Sequence, residues 1–285
     1  CGFRADLALG SSVPQVSAAF GLFRDGTGSA GDLDLQQAYA SYVAPLRSGL
    51  RLDVGKFVTA HGYEVIEGYD GWNDNATRSF LFGYAIPFTH TGVRAAYTFS
   101  PRVSAMLMVV NGWDNARDNN RAKSICAQLA LTPCPPVSVL FNMVRGPERS
   151  GNDADPRTVL DGVGIWKPRE RLTVGVNGDW GSERGATVTG GEARWSGLAA
   201  YLRLARRSGR ALTLRGEVID DRDGVRTGVG QRLAECTLTP ETRLNAHLIV
   251  RADLRLDHSN RDVFEKDGGT RATQATVLLN ALYSF

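Results

Sequence analysis

Between Val58 and Phe88 the chain carries four carboxylates and one guanidinium, Glu64, Glu67, Asp70, Asp74 and Arg78, set among Tyr63, Tyr69, Trp72, Phe80, Phe82, Tyr84 and Phe88. Fixed charges of both signs at short spacing either form a constriction that screens solutes by size and charge or anchor the loop that bears them. A second set recurs along the chain. Arg51, Arg94, Arg215, Arg251 and Arg255 make a basic ladder that favours anions, unless Asp53, Glu217, Asp253 and Asp257 neutralise it. Other chemistries have thinner support. His61 and Glu64 offer two metal ligands without a third. Asp114, Asp118 and Asn119, or Asp220, Asp221 and Asp223, lack the spacing of a calcium loop. Asp257-His258-Ser259 suggests a hydrolase, but adjacent residues cannot converge as a triad, and no G-x-S-x-G elbow is present. No catalytic residue, metal or cofactor is assigned.

These charges need elements to position them. The dominant signal is apolar/polar alternation with period two, in fourteen segments at 3–9, 33–44, 48–57, 89–99, 102–111, 121–130, 136–144, 157–166, 171–180, 192–205, 210–219, 231–239, 243–256 and 272–285. Their connections alternate between short turns, among them Thr239-Pro240-Glu241-Thr242, and long polar loops. An up-and-down membrane barrel segregates loop lengths in this way, with short turns on the periplasmic side. Counting back from the last strand makes 58–88 one external loop. Its apolar content needs a surface to pack on, so it is expected to fold into the lumen. Its carboxylates should then meet Arg51, Arg94, Arg215 and Arg251.

The faces are legible too. Leu248, Val250, Ala252, Leu254 and Leu256 alternate with Arg251, Asp253, Arg255 and Asp257. Successive strand residues point to opposite faces, and an Arg at the bilayer midplane costs about 2–4 kcal/mol, so the charges face water inside. In the last strand Ala275, Val277, Leu279, Ala281, Tyr283 and Phe285 form the lipid face. Backbone groups in lipid must all be paired, which requires a closed sheet.

Bulk properties agree. The 285 residues contain no apolar run long enough for a membrane helix. Net charge is +3, with charges interspersed, which gives no footprint for nucleic acid. The chain starts at Cys1 without Met, which reads as processed or truncated. Of four cysteines, Cys126 and Cys134 are placed to meet across a tight hairpin, or all are free thiols without a role.

GKFVTAHGYEV, RSFLFGYAIPFTHTGVRAAYTFS and VVNGWDNARDNNRAKS, followed by RGPERSGND, RGEVIDDRDGVRTG, ECTLTPE, RADLRLDHSN and DVFEKDGG, resemble the signature stretches of the OmpL-like beta-barrel porin family of Gram-negative outer membranes. The resemblance covers nearly the whole chain and departs at Cys126, Cys134 and Cys236, where small or polar residues are expected. It implies export to the outer membrane and two further strands before Phe3, sixteen in all. It also implies that the terminal aromatics Tyr283 and Phe285 serve the assembly machinery.

The sequence is therefore expected to form a single all-β transmembrane barrel domain over 1–285, of about fourteen strands. The expected function is a water-filled porin for passive or weakly selective diffusion of small hydrophilic solutes. Its partners are the outer-membrane bilayer, those solutes and the assembly machinery, with a homo-oligomer left open. The alternatives are a barrel hydrolase using His258 and Ser259, and a soluble β-rich binding protein.

Overall fold

The computed structural model describes residues 1–10, 33–67 and 71–285. Fourteen antiparallel strands form one sheet in strict sequence order: β1 (Gly2–Leu9), β2 (Leu33–Ala44), β3 (Leu50–Val58), β4 (Thr89–Ser100), β5 (Val103–Val110), β6 (Ser124–Cys134), β7 (Val137–Pro147), β8 (Pro156–Arg169), β9 (Leu172–Glu183), β10 (Ala193–Ala205), β11 (Arg210–Asp221), β12 (Gln231–Arg243), β13 (Leu248–Ser259) and β16 (Thr273–Tyr283). Between the last two, β14 (Phe264–Lys266) and β15 (Gly269–Arg271) form a separate hairpin. Each expected strand is present, and the alternation is the reason. Leu254 and Leu256 on one face of β13 are about half exposed, whereas Asp253 and Asp257 on the other are buried. The outward face carries Leu107, Phe141, Leu198, Val218, Val277 and Leu279, an apolar band far larger than water would tolerate. Tyr42, Phe99, Trp166 and Tyr283 stand on that face near the short-turn ends, where aromatic girdles sit.

Short turns alternate with long connections as expected, but three local readings change. The β12–β13 turn lies at 244–247, because β12 continues through Pro240 to Arg243. Pro240 lacks an N–H, and its side of the ladder to β13 is simply interrupted. Pairing resumes from Leu238↔Leu254 to Glu241↔Arg251 in the same register. Second, the 257–271 loop contains the β14–β15 hairpin. Its Asp267-Gly268 turn has φ of 51° and 77°, the left-handed pair that an Asp-Gly turn supplies. Third, Cys126 and Cys134 cannot meet across a hairpin. Both lie on β6, eight residues or about 26 Å apart at strand rise, and both are free thiols.

The buried apolar cluster sits on the inner face, not between two layers of sheet. Loop residues Ile66, Leu81, Phe82, Ala85, Ile86 and Phe88 pack there against Trp195, Ala199, Tyr201 and Ile219 of β10 and β11. Within the loop, Leu81–Ala85 form one π-helical turn.

Candidate functional site

The site grows from one requirement. An irregular loop buried against a sheet must find partners for its N–H groups away from other strands. The inner face of β8–β13 supplies them from side chains. Gly62 N–H donates to Asp161 Oδ1 at 3.2 Å, and Tyr63 N–H to Asn177 Oδ1 at 3.0 Å. Thr77 donates its N–H and its hydroxyl to Asp253 Oδ2, at 2.6 and 2.7 Å. Phe80 and Leu81 N–H donate to the two oxygens of Glu217, at 2.6 and 3.0 Å. Those N–H groups open the π-helical turn and have no partner within it. Phe88 and Thr89 N–H converge on Asp114 Oδ1, at 2.7 and 2.8 Å, and fix the exit. Trp195 Nε1 donates to the Ala85 carbonyl at 3.1 Å, and Arg226 Nε to that of Tyr84 at 2.6 Å.

Arg215 is the hub. Its side chain is fully buried, so its charge must be matched by partners at hydrogen-bond distance. Nη1 reaches Glu64 Oε1 at 2.8 Å and the Thr77 carbonyl at 2.6 Å, while Nε reaches Glu235 Oε2 at 2.8 Å. Glu64 also accepts from Ser79 N–H at 3.1 Å and Tyr201 OH at 3.3 Å. Beside it the Tyr63 ring stacks on Tyr201 with centroids 4.0 Å apart. Gly175 makes that possible, since a Cβ there would stand 2.3 Å from the Tyr63 ring. Gly181 likewise leaves the volume that the Trp195 indole fills.

The expected charges divide into three groups. Glu64, Arg215, Glu217 and Asp253 are buried beneath the loop. Glu67, Arg78, Arg251, Arg255 and Asp257 form the flank: Arg251 reaches Glu67 at 3.2 Å and the Asn73 carbonyl, Arg78 lies 3.6 Å from Glu67, and Arg255 holds Asp257 at 2.7 Å and the Arg78 carbonyl at 2.5 Å. Arg51, Asp53 and Arg94 stand apart on β3 and β4. Asp53 accepts from Arg51 Nε at 2.9 Å and Arg94 Nε at 2.6 Å, and Arg94 lies over the Phe57 and Tyr39 rings. Arg51 and Arg94 therefore pair with the wall and not with loop carboxylates. Arg215 pairs with Glu64 and Glu235, leaving Glu217 to the loop backbone. Asp70 and Tyr69 lie outside the described residues. The sequence reading missed Thr239 and Glu241, inward residues of β12, because it placed the turn at 239–242, and it missed Glu235 although that residue lay within its strand 231–239.

The weaker chemistries come apart. His61 packs beside His90 and Thr59, and burial, then His90, pushes it down to about 3, so it stays neutral. Glu64 is committed to Arg215, and no group of three metal-ligating residues occurs among the described residues. Asp114 anchors the loop, Asp118 pairs with Lys123, and Asn119 donates to the Glu148 carbonyl at 3.0 Å. Asp221 accepts three N–H groups of its own loop, from Val225, Arg226 and Thr227, whereas Asp220 pairs with Arg222 and Arg232. His258 is exposed on the outward face while the Ser259 hydroxyl is buried on the inner one, donating to Gln231.

At the long-loop end a second cluster supports the exit. Arg226 lies over the Trp113 and Trp195 rings at 4.5 and 5.4 Å, and Arg157 over Trp113 at 4.8 Å. Burial, then Arg157, lowers Arg226 to about 10. Burial raises Asp114 to about 6 and Glu148 to about 7, although Glu148 accepts from Trp113 N–H and Ser124 OH, both at 2.6 Å.

An antiparallel sheet with an apolar outer face, a charged inner face and an inward-packed loop defines an outer-membrane β-barrel channel. The family model described as Putative beta-barrel porin-2, OmpL-like matches residues 1–285. The chain belongs to that family, and is a porin of the bacterial outer membrane. No curated protein matches it in sequence. Several solved structures share the fold, among them the following three. The anion-selective porin from Comamonas acidovorans aligns at TM-score 0.62 and 10% identity, over 89% of this chain and 79% of its own. The outer membrane channel DcaP of Acinetobacter baumannii gives 0.62 and 11%, over 93% and 78%. Outer-membrane expressed OmpT of Vibrio cholerae gives 0.61 and 11%, over 89% and 82%. These identities establish likeness of fold alone.

Proposed function

We propose that the protein is a non-enzymatic diffusion channel for small hydrophilic solutes with a mild preference for anions. Residues 1–285 act as one barrel domain, and loop 58–88 is the inward-folded constriction. The observation that carries this reading is a radial asymmetry in the wall's ion pairs. Side-chain exposure is 48% for Arg51 and 16% for Arg94 against 2% for their shared Asp53. It is 22% for Arg203 against 4% for Glu241, and 14% for Arg157 against 2% for Glu183. Every guanidinium in these groups has a carboxylate partner, yet a solute in the water meets guanidinium first. Local potential, more than summed charge, sets the concentration of a permeant ion. Glu67, 31% exposed beside the buried Arg251, and Asp74, 27% exposed beside Arg203, are the counterweights.

The test is planar-bilayer recording across a KCl gradient. The expected reversal potential has the sign of chloride preference, and Arg51→Gln/Arg94→Gln moves it toward potassium. A channel that favours potassium in the wild type, or none at all in well-folded protein, overturns the reading.

A further inference from the structure

On the short-turn side of the loop a cavity of about 460 Å³ opens between loop and wall. Its apolar walls are the rings of Tyr63 and Trp72, with Val65 and Ile165. Its charged residues are Lys167, Arg203 and Asp74, two cations against one carboxylate. Asp74 is committed to Arg203 at 3.1 Å, and Arg203 also holds the buried Glu241 at 2.8 Å. Among the described residues the exposed Lys167 ammonium forms no salt bridge, and it acts on Asp74 only through its field. Burial pushes the Asp74 carboxyl above its ordinary value, against the fields of Arg203, Arg251 and Lys167.

The two rings differ in freedom. Tyr63 is fixed by its stack on Tyr201 and by the notch at Gly175. Trp72 is 37% exposed, an indole facing water at the cavity, whereas the Phe82 and Phe88 rings of the loop are buried. Concave sites that hold small molecules combine apolar walls with a few placed polar groups, and a cation at the edge of aromatic surface selects a ligand of matching design. We infer that this cavity is a binding subsite for small organic monoanions with a flat apolar body, the carboxylate held by Lys167 and the ring by Trp72 and Tyr63. The inference rests on the reading of the lumen as the aqueous path, and it names a solute class for it. The volume is ample for a single ring bearing a carboxylate.

The probes are sodium benzoate and its neutral analogue benzamide. In single-channel recordings at 0.1 M KCl, benzoate should produce saturable, concentration-dependent interruptions of current that benzamide does not. Lys167→Gln and Trp72→Ala should each weaken the benzoate effect about tenfold. A second readout does not need conduction: tryptophan fluorescence of the full-length protein in detergent should be quenched by benzoate, and Trp72→Ala should abolish the saturable part. Wild-type channels that conduct but ignore benzoate, or a benzoate effect equal in both variants and wild type, overturn the subsite and leave the porin reading intact. Saturable quenching in protein that does not conduct upholds the subsite and counts against the channel.

Discussion

Replacing Arg215 with Met removes the charge at the centre of the loop–wall contact and keeps much of the side-chain volume. Glu64 and Glu235, with side chains 2% and 0% exposed, then face each other without a cation. Stranding a buried carboxylate by deleting its partner costs about 3–5 kcal/mol. The sheet cannot relieve this, because Glu235 is held in β12 by ladders to β11 and β13. Glu64 is on the loop and can leave. Segment 63–77 would then be retained by Thr77 on Asp253, Asn75 on Thr239 and the Asn73 carbonyl on Arg251, with charge-assisted hydrogen bonds contributing about 1.5–3 kcal/mol each, while Tyr63 on Asn177 and the part-exposed pairs Glu67–Arg251 and Asp74–Arg203 add about 0–1 kcal/mol each. The two sides are comparable, so the segment should open part of the time while 79–88 stays on Glu217. Single-channel recording should show raised mean conductance with added open-level noise, and trypsin should cut folded protein at Arg78. Unheated migration in gels should stay compact. Adding Glu64→Gln should restore much of the wild-type behaviour, because the stranded charge is the cause. Unchanged conductance and trypsin resistance in folded Arg215→Met would refute the claim that this guanidinium holds the loop.

Gly175→Ala places a methyl 2.3 Å from the Tyr63 ring, so the ring should be displaced, its stack on Tyr201 lost and proteolysis at Arg78 raised; Tyr63→Ala in the same protein should reverse the proteolysis, and no change in the single variant would show that the notch is not needed. Glu148 is raised from 4.5 to about 7 and Asp114 from 3.8 to about 6, so between those values the folded state holds protons that the unfolded chain has released. Stability conferred by these groups is therefore full below about pH 4 and lost as pH rises through 6 and 7, worth roughly 3 kcal/mol for Glu148 alone. Urea or thermal unfolding in detergent should show that decline, and Glu148→Gln should flatten its upper part; an identical pH profile in the variant would remove Glu148 as its source.

How much of this was written in the sequence follows from the range of each interaction. Strand existence and facing depend on neighbours two residues apart, so Arg251, Asp253, Arg255 and Asp257 could be assigned inward from β13 alone. Pro240 shows the limit of local punctuation. A proline reads as a turn, but an interruption on one side of a ladder is tolerated when the other side, here from β11, remains paired through Leu212↔Pro240. The Asp267-Gly268 signal was local and available, and was passed over inside a segment taken whole as loop. Partner identity in the site was not available. Arg215 is 151 residues from Glu64 and 20 from Glu235, and only the register of β10–β12 decides which carboxylate lies beneath which part of the loop.

The same register explains why the water-facing charge should be positive although the wall holds both signs. A strand segment satisfies its N–H groups in a ladder, but the irregular loop must borrow acceptors from whatever lies beneath it. Acceptors strong enough for paired N–H groups in a buried place are carboxylates, and Asp161, Glu217 and Asp253 are used for that purpose, as is Asp114 at the exit. A carboxylate used in this way sits low against the sheet, because the backbone it serves is packed against the sheet. Guanidiniums have the longer side chain and no acceptor to offer the loop, so they can extend past the carboxylates they pair with into water, as Arg51 does past Asp53 and Arg203 past Glu241. The pairs that carry the proposed anion preference follow the same radial order without touching loop N–H groups: Asp53 and Glu241 lie against the sheet and their arginines reach past them. That order makes the preference depend on the wall's guanidiniums more than on the loop's own acids, so Arg51→Gln/Arg94→Gln should shift the reversal potential further toward potassium than Glu67→Gln shifts it toward chloride. A larger shift from Glu67 would place the selecting charge on the loop and not on the wall.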